Sequence, residues 1–448
     1  MIRMSMNRFV AMVFVGVGLV GCGSKTISEC SADSDCTNLA YPFCDVNGEF
    51  SISGGVKNVC TIIPPDCSVE RCGCSPGATT CAGDQETTCN AGGKSTTIDT
   101  CALGCASTKD RCLSFTPLNG LAPALNAAIT EPDIVIPAGS TIDTDSGLIR
   151  DSANAKINAS TLVVTGPTDI RVFLGGSFDI DDVVITGTKA VAFVSPRAIT
   201  IRGMIDASAN KNVSGPGGSG TGCVGVIATD SNSGTTVGGG GGHATLGGAG
   251  ISTRPIAQGG GVLVEAAGGH AAPASVLVGG CTGGGGASAG GGGGAVQIDS
   301  LTKIEFTSAP KLGFIDVGAG GARQASPIQS GGGAGGLVVL EAPAINLGGV
   351  TGNGGSGAVC GVDGNDATPN QNIAPQVGAT CSTMFPKGYS GAGATIDHVP
   401  TDGGGPYGGG GGGGAVGMMF INTIDGTYAA VSGSIVSAYV TVGSIVPL

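Results

Sequence analysis

Cysteine offers the most chemistry in this 448-residue chain, which carries 17 of them. Cys22 stands alone at the end of an apolar stretch. Cys30, Cys36, Cys44 and Cys60 form one group, and Cys67, Cys72, Cys74, Cys81, Cys89, Cys101, Cys105 and Cys112 a second. Cys223, Cys281, Cys360 and Cys381 are spread through glycine-rich sequence. Thiols in such groups bind metal, pair as disulfides or carry a covalent modification. Cys72-Gly73-Cys74 and Cys101-x-x-x-Cys105 have the look of ligand pairs, because zinc sites use closely spaced thiolates. Setting Cys22 aside leaves an even number, more than a zinc site needs. In an exported chain that favours disulfides. Pairing among the twelve N-terminal cysteines stays open. Cys223 with Cys281 and Cys360 with Cys381 are expected each to close a loop, or, for the first two, to staple neighbouring loops. No metal site is expected.

Other reactive residues are few. His243, His270 and His398 each lie in or beside a glycine-rich stretch, without H-x-x-x-H spacing. Asp143-Thr144-Asp145, Asp179-Ile180-Asp181-Asp182 and Asp363-Gly364-Asn365-Asp366 offer oxygen ligands but complete no calcium loop. Gly286-Ala287-Ser288-Ala289-Gly290 has G-x-S-x-G spacing, yet a nucleophile elbow needs a strand before it and a helix after it. Here glycine flanks both sides. Gly92-Gly93-Lys94-Ser95 ends like a phosphate loop, but Thr88 stands where the upstream glycine belongs. No catalytic residue and no cofactor are therefore assigned.

The N-terminus supplies an address. Arg3 and Arg8 precede the apolar stretch from Phe9 to Val20, too short to span a bilayer comfortably. It ends in Leu19-Val20-Gly21-Cys22, which resembles the bacterial lipobox. The resemblance implies that Cys22 is acylated and becomes the mature N-terminus. Gly23 rather than Asp follows it, and the resemblance to Gram-negative lipoproteins then implies the outer membrane. More than one acyl chain anchors stably. The expected organisation is a signal peptide at 1–21, a tether at 22–29, cysteine-rich modules at 30–63 and 64–113, a cap or transition at 114–159, and a glycine-rich body at 160–448.

The modules hold few large apolar residues, so disulfides would stand in for a core. Cys74-Ser75-Pro76-Gly77, Cys81-Ala82-Gly83-Asp84, Cys89-Asn90-Ala91-Gly92-Gly93 and Cys101-Ala102-Leu103-Gly104-Cys105 resemble cysteine-rich repeats of exported myxobacterial proteins.

Composition describes the body. Gly numbers 87, aromatics are 4%, charged residues 12% and Trp is absent. Glycine does not recur at every third position, which excludes collagen. A net charge of -12 disfavours nucleic acid as a partner. Glycine runs lead into short strands that return in the same order. Val191 and Phe193, Ile199 and Ile201, then Ile205 recur as Val296 and Ile298, Ile304 and Phe306, then Ile315. They recur again as Val338 and Leu340, Ile345 and Leu347, then Val350. A worn last copy reads Val416 and Met418, Ile424, Ile435. Three-strand units with aliphatic stacks predict a right-handed parallel β-helix, with rungs about 4.8 Å apart. Leu118 to Thr130 is expected to hold a short helix within a cap over the first rung. The long glycine-rich excursions between units are either loose or packed as extended polyglycine on the wall.

Two functions are compatible with this reading. The first is a noncatalytic cell-envelope lipoprotein with a structural, adhesive or display role. Its partners would be the membrane and extracellular polysaccharide or surface proteins. The whole chain resembles glycine-rich lipoproteins of myxobacteria through the lipobox, the cysteine groups and runs such as Gly332-Gly333-Ala334-Gly335-Gly336. The second is a polysaccharide lyase or hydrolase, since many β-helices degrade acidic sugars. Asp206 and Asp316 occupy equivalent positions, with Arg197 and Arg202 close in sequence. Thr351 and Val436 are expected to continue, and so break, that row.

Overall fold

The computed structural model describes residues 30, 31, 35, 36, 43–45, 59–61, 74, 78–82, 85–89, 96–101, 103–105, 112–218, 224–229, 236–252, 264–266, 277–324, 328–379, 388–404 and 410–447. Two compact units divide the chain: residues 1–80 with 87–99, and residues 81–86 with 100–448.

In the smaller unit the strands Phe43–Asp45 and Val59–Thr61 pair antiparallel, with Cys44 opposite Cys60. Disulfides join Cys30 to Cys44, Cys36 to Cys60 and Cys74 to Cys89. In the larger unit Cys81 is bonded to Cys105 and Cys101 to Cys112. Cys281 and Cys360 are also disulfide-bonded. Cys22, Cys67, Cys72, Cys223 and Cys381 lie outside the described residues.

The larger unit is mainly β and is built on three parallel sheets. Its chain visits them in turn and then returns one strand further along. One full visit runs through Ala190–Ser195 in the first sheet, Ile199–Ile201 in the second and Met204–Asp206 in the third. The next runs through Ala295–Ser300, Lys303–Phe306 and Phe314–Asp316, and the one after through Leu337–Glu341, Ala344–Leu347 and Gly349–Thr351. Each strand pairs in parallel with its counterpart, so Val191 faces Val296, Ile199 faces Ile304 and Ile205 faces Ile315. Alternation turns these residues to one continuous core that all three sheets share. Phe193 lies at its N-terminal end, stacked on Phe173 with ring centroids 5.8 Å apart and edge-on to Phe178 at 5.5 Å.

Three details differ from the sequence reading. The units begin before residue 160: Ile134–Ile136 and Ser140–Asp143 are already parallel members of the second and third sheets. Ser160–Val164 instead pairs antiparallel with Ile170–Leu174 and closes the first sheet's edge. In the last unit the inward residues are Met419 and Ile421, not Val416 and Met418. Glycine pairing runs on through Gly417, whose N–H reaches the Gly352 carbonyl, and this delays the strand to Met418–Thr423. Third, the helix falls at Ala122–Ala128 but covers a sheet face rather than the end of the stack. Leu121, Leu125 and Ala128 pack with Val172, Ala192, Val194 and Val339, on the side of the first sheet away from the shared core. The middle strands of that sheet are thereby buried on both faces, and Ala190–Ser195, Ala295–Ser300 and Leu337–Glu341 are buried at every position.

The described parts of the glycine-rich excursions are ordered by backbone hydrogen bonds with a period of three. Gly331 and Ala334 donate to the carbonyls of Gly284 and Cys281, at 2.8 and 2.9 Å. Gly332 and Gly335 donate to Gly412 and Ala415, both at 2.9 Å. Gly333 and Gly336 donate to Gly320 and Val317, at 3.0 and 2.8 Å. One segment thus donates to three neighbours in rotation, and it accepts from Gly290, Gly241 and Gly355 on three others. A three-residue period without internal bonds is that of the polyproline II helix. Glycine is needed because the segments touch through their backbones. A Cβ at Gly414 would sit 1.7 Å from the Gly333 carbonyl oxygen.

Gly414→Ala is expected to destabilise the larger unit by about 1–3 kcal/mol or more through this overlap, and to lower its thermal midpoint. Gly166→Ala, whose nearest contact would be 3.4 Å away, is expected to leave the midpoint almost unchanged. Equal midpoints for the two variants in a melting experiment would contradict the packing argument.

Candidate functional site

The third sheet presents Asp206 and Asp316 at matched register on adjacent strands. Both lie at strand ends, where the chain turns off the sheet into glycine-rich sequence. One Asp206 carboxylate oxygen accepts from the Ser208 N–H at 3.0 Å and its hydroxyl at 2.6 Å. One Asp316 oxygen accepts from the Gly318 N–H at 3.0 Å and the Thr351 hydroxyl at 2.8 Å. The next residue in the row is Thr351, followed by Ser437 rather than Val436. Val436 pairs with Val350 and packs on the core, a register that hydrophobic pattern alone misplaced by one residue.

Both acids line a cleft of about 1290 Å³, with Asp169, Lys189, Asn210 and Asp366 also in its wall. Burial pushes the Asp316 carboxyl up to about 7, with the nearby Asp206 charge adding to the rise and the Thr351 hydrogen bond opposing it. Asp366 enters from distant sequence and is held by the backbone N–H groups of Lys211 at 2.9 Å and Gly321 at 2.8 Å. The Lys189 ammonium lies 3.1 Å from Asp145. The cleft therefore combines a carboxyl that titrates near neutrality with further acids already serving as turn and loop ties.

The arginines that sequence placed near this row point elsewhere. Arg197 pairs with Asp133 at 2.6 Å and Arg202 with Asp179 at 2.5 Å, and neither lines the cleft. The candidate calcium acids are similarly engaged. Asp181 and Asp182 hold Lys311 at 3.1 and 2.5 Å, Asp143 accepts from the Ser146 hydroxyl at 2.6 Å, and Asp363 accepts from the Gln324 N–H at 2.8 Å. Ser288 is buried in a short turn, with its hydroxyl 2.6 Å from that of Ser330 and 3.0 Å from the Gly285 carbonyl. No strand leads into that turn, so the elbow geometry is lacking there. Gly92, Gly93, Lys94 and Ser95 of the phosphate-loop-like run lie outside the described residues, and strand Thr96–Thr100 follows them.

His270 is outside the described residues and His398 is exposed. His243 is fully buried, and neither ring nitrogen has a hydrogen-bond partner. Among the described residues, the potential metal-ligand clusters consist of cysteines with Glu86, and their sulfurs are in disulfides. Sequence reasoning missed the buried polar side chains Gln297, Asp299 and Glu341 on the first sheet. A signal existed: they alternate with Val296, Ile298 and Leu340. Only the covering segment made that second face an interior.

Comparison of the chain with protein-family models, with curated proteins and with solved structures finds no match.

Burial lowers the His243 pKa from 6.5 to about 4. The unfolded chain takes up this proton first as pH falls, so stability is expected to decline between about pH 6.5 and about pH 4. The full difference is worth roughly 3 kcal/mol. His243→Phe is expected to remove that part of the slope in denaturant titrations across this range, and an unchanged slope would contradict the assignment.

Proposed function

We propose that this chain is a noncatalytic cell-envelope lipoprotein, anchored through Cys22, whose body serves a structural, adhesive or display role. The three parallel sheets are read as the faces of a right-handed parallel β-helix. The cyclic order of strands supports the coil, and the strong right-handed preference of parallel crossovers supports its hand. The observation that carries the functional reading is the glycine bundle. Gly331 to Gly336 hydrogen-bond to neighbours on all sides through backbone alone. Glycine there supplies no reactive side chain and does supply close, directional packing. A stiff body, disulfides near the anchor and an acyl tether together suit presentation at a surface. Outer-membrane attachment and contact with extracellular polysaccharide or surface proteins follow as parts of this proposal.

A second reading has one specific observation in its favour. Asp316 titrates near 7 inside a cleft, next to Asp206 on the adjacent strand. A carboxyl of this kind suits general acid–base work on a polysaccharide. The hydrogen bonds from Ser208, Gly318 and Thr351 favour turn formation instead.

In cells making the full chain, fatty-acid labelling is expected for the natural sequence and to vanish in Cys22→Ser. Protease shaving of intact cells is expected to release peptides from 134–447. Labelling that persists in the variant, or peptides that stay protected until the cells are lysed, would count against anchored display. On a panel of acidic polysaccharides no turnover is expected. Turnover that falls at least tenfold in Asp316→Asn would instead establish the enzymatic reading.

A further inference from the structure

The first sheet carries a second pair of carboxyls, away from the cleft. Asp299 and Glu341 are Cα partners on adjacent parallel strands, and Asn422 continues the row. All three alternate with core residues, so they face the covering segment that contains the helix Ala122–Ala128. Asp299 is fully buried and Glu341 is 2% exposed. One Glu341 oxygen accepts from the Leu118 N–H at 2.7 Å and from the Gln297 amide at 3.0 Å, and the other accepts from the Asn422 amide at 3.0 Å. The Gln297 amide also donates to both Asp299 oxygens at 3.1 Å. Asn119, in the covering turn, donates to the Gln297 side-chain Oε1 at 2.8 Å and accepts from the Leu277 N–H at 3.1 Å.

We propose that Asp299 and Glu341 share one proton and act as a pH-released latch, holding the segment around Leu118–Ala128 on the outer face of the first sheet. The groups facing the pair are Gln297 and Asn422 from the sheet and Leu118 and Asn119 from the cover, and none is charged. Among the described residues no cation pairs with either carboxyl. Two ions side by side in such a site are unfavourable, and a shared proton removes one of them. Burial and the Glu341 charge raise the Asp299 pKa well above the carboxylate range, and burial raises that of Glu341. The pair titrates as a unit.

The sign follows. Raised folded-state pKa values mean that the closed form holds the proton more tightly than the open one. Closure is complete at low pH and is lost as pH rises through the closed-state value. Between the ordinary carboxylate value of the open form and the raised value of the closed form the open fraction grows about tenfold per pH unit for one proton, and above the closed-state value it levels off. Opening uncovers an apolar face that includes Val172, Ala192, Val194 and Val339. The segment is tied back near its start by the Cys101–Cys112 disulfide, so release need not dissolve the three-sheet core.

The test is limited proteolysis of the full chain between about pH 5 and about pH 10, with cleavage at 115–133 read by mass spectrometry and corrected for protease activity on an unstructured peptide. In the natural protein, cleavage is expected to rise at least tenfold as pH increases across the range and then to level off, while the three-sheet core stays uncut. Asp299→Asn keeps a donor beside Glu341 but cannot ionise, so its cleavage is expected to stay flat. Glu341→Gln, a second variant that removes one of the two charges, is expected to be flat too. An equal rise in the natural protein and both variants, or no rise in the natural protein, would overturn the latch. Suppression of the natural protein's rise by millimolar calcium would also overturn it, because a cation rather than a proton would then be the resident partner.

Discussion

Buried backbone must be hydrogen-bonded, and in this protein that requirement is met twice over by different geometries. In the three sheets it is met by parallel strand pairing, with side chains alternating between two faces. In the glycine bundle it is met by segments whose N–H groups point in three directions in rotation, so that each chain is tied to several neighbours. The second arrangement is possible only where no side chain intervenes. Gly292 shows the tolerance: a Cβ there would sit 1.7 Å from the Gly280 carbonyl oxygen.

The two geometries are continuous along the chain. Gly336 donates to Val317 in the bundle, and Leu337, the next residue, begins a strand of the first sheet. Likewise Asp316 ends a third-sheet strand and Val317 begins a bundle segment. Register in the sheets therefore sets register in the bundle, and the reverse. Glycine loses more conformational freedom on folding than any other residue, which makes it intelligible that Cys281 and Cys360 are each held in a disulfide. A cross-link in a glycine-rich region lowers the entropy of the unfolded chain. His243 is enclosed against this bundle; burial holds its ring neutral, and the nearby backbone of Gly335, Gly336 and Val278 acts in the opposite direction.

Polar side chains reach functional interest here by being enclosed rather than by clustering in sequence. Asp206 and Asp316 are separated by a long excursion and meet because their strands are adjacent. Asp299 and Glu341 meet for the same reason on another sheet. The cleft acids are tied into turns by N–H and hydroxyl donors. The first-sheet pair is enclosed by a segment from earlier in the chain, which gives the cover a chemical dependence that the cleft lacks.

Much of the larger unit was legible in sequence because its signals are local. Alternation in Ala190–Ser195, Ala295–Ser300 and Leu337–Glu341 marked the inward residues, and their recurrence in one order marked three-strand units. The even cysteine count marked disulfides. Partners within the N-terminal groups, such as Cys30 with Cys44, were not legible, since a pairing is a distance and spacing does not specify one. The last unit was misread because bundle pairing, invisible in hydropathy, shifts where its strand starts. Glycine runs announced close backbone approach, but only the tertiary structure decided which segment lies beside which, because each bond in the bundle joins residues remote in sequence. Sequence by itself determined the inner face of the first sheet through its alternation. Tertiary structure alone decided that the outer face is an interior too, because the Leu121 and Leu125 side chains that bury it come from a segment no local pattern could place.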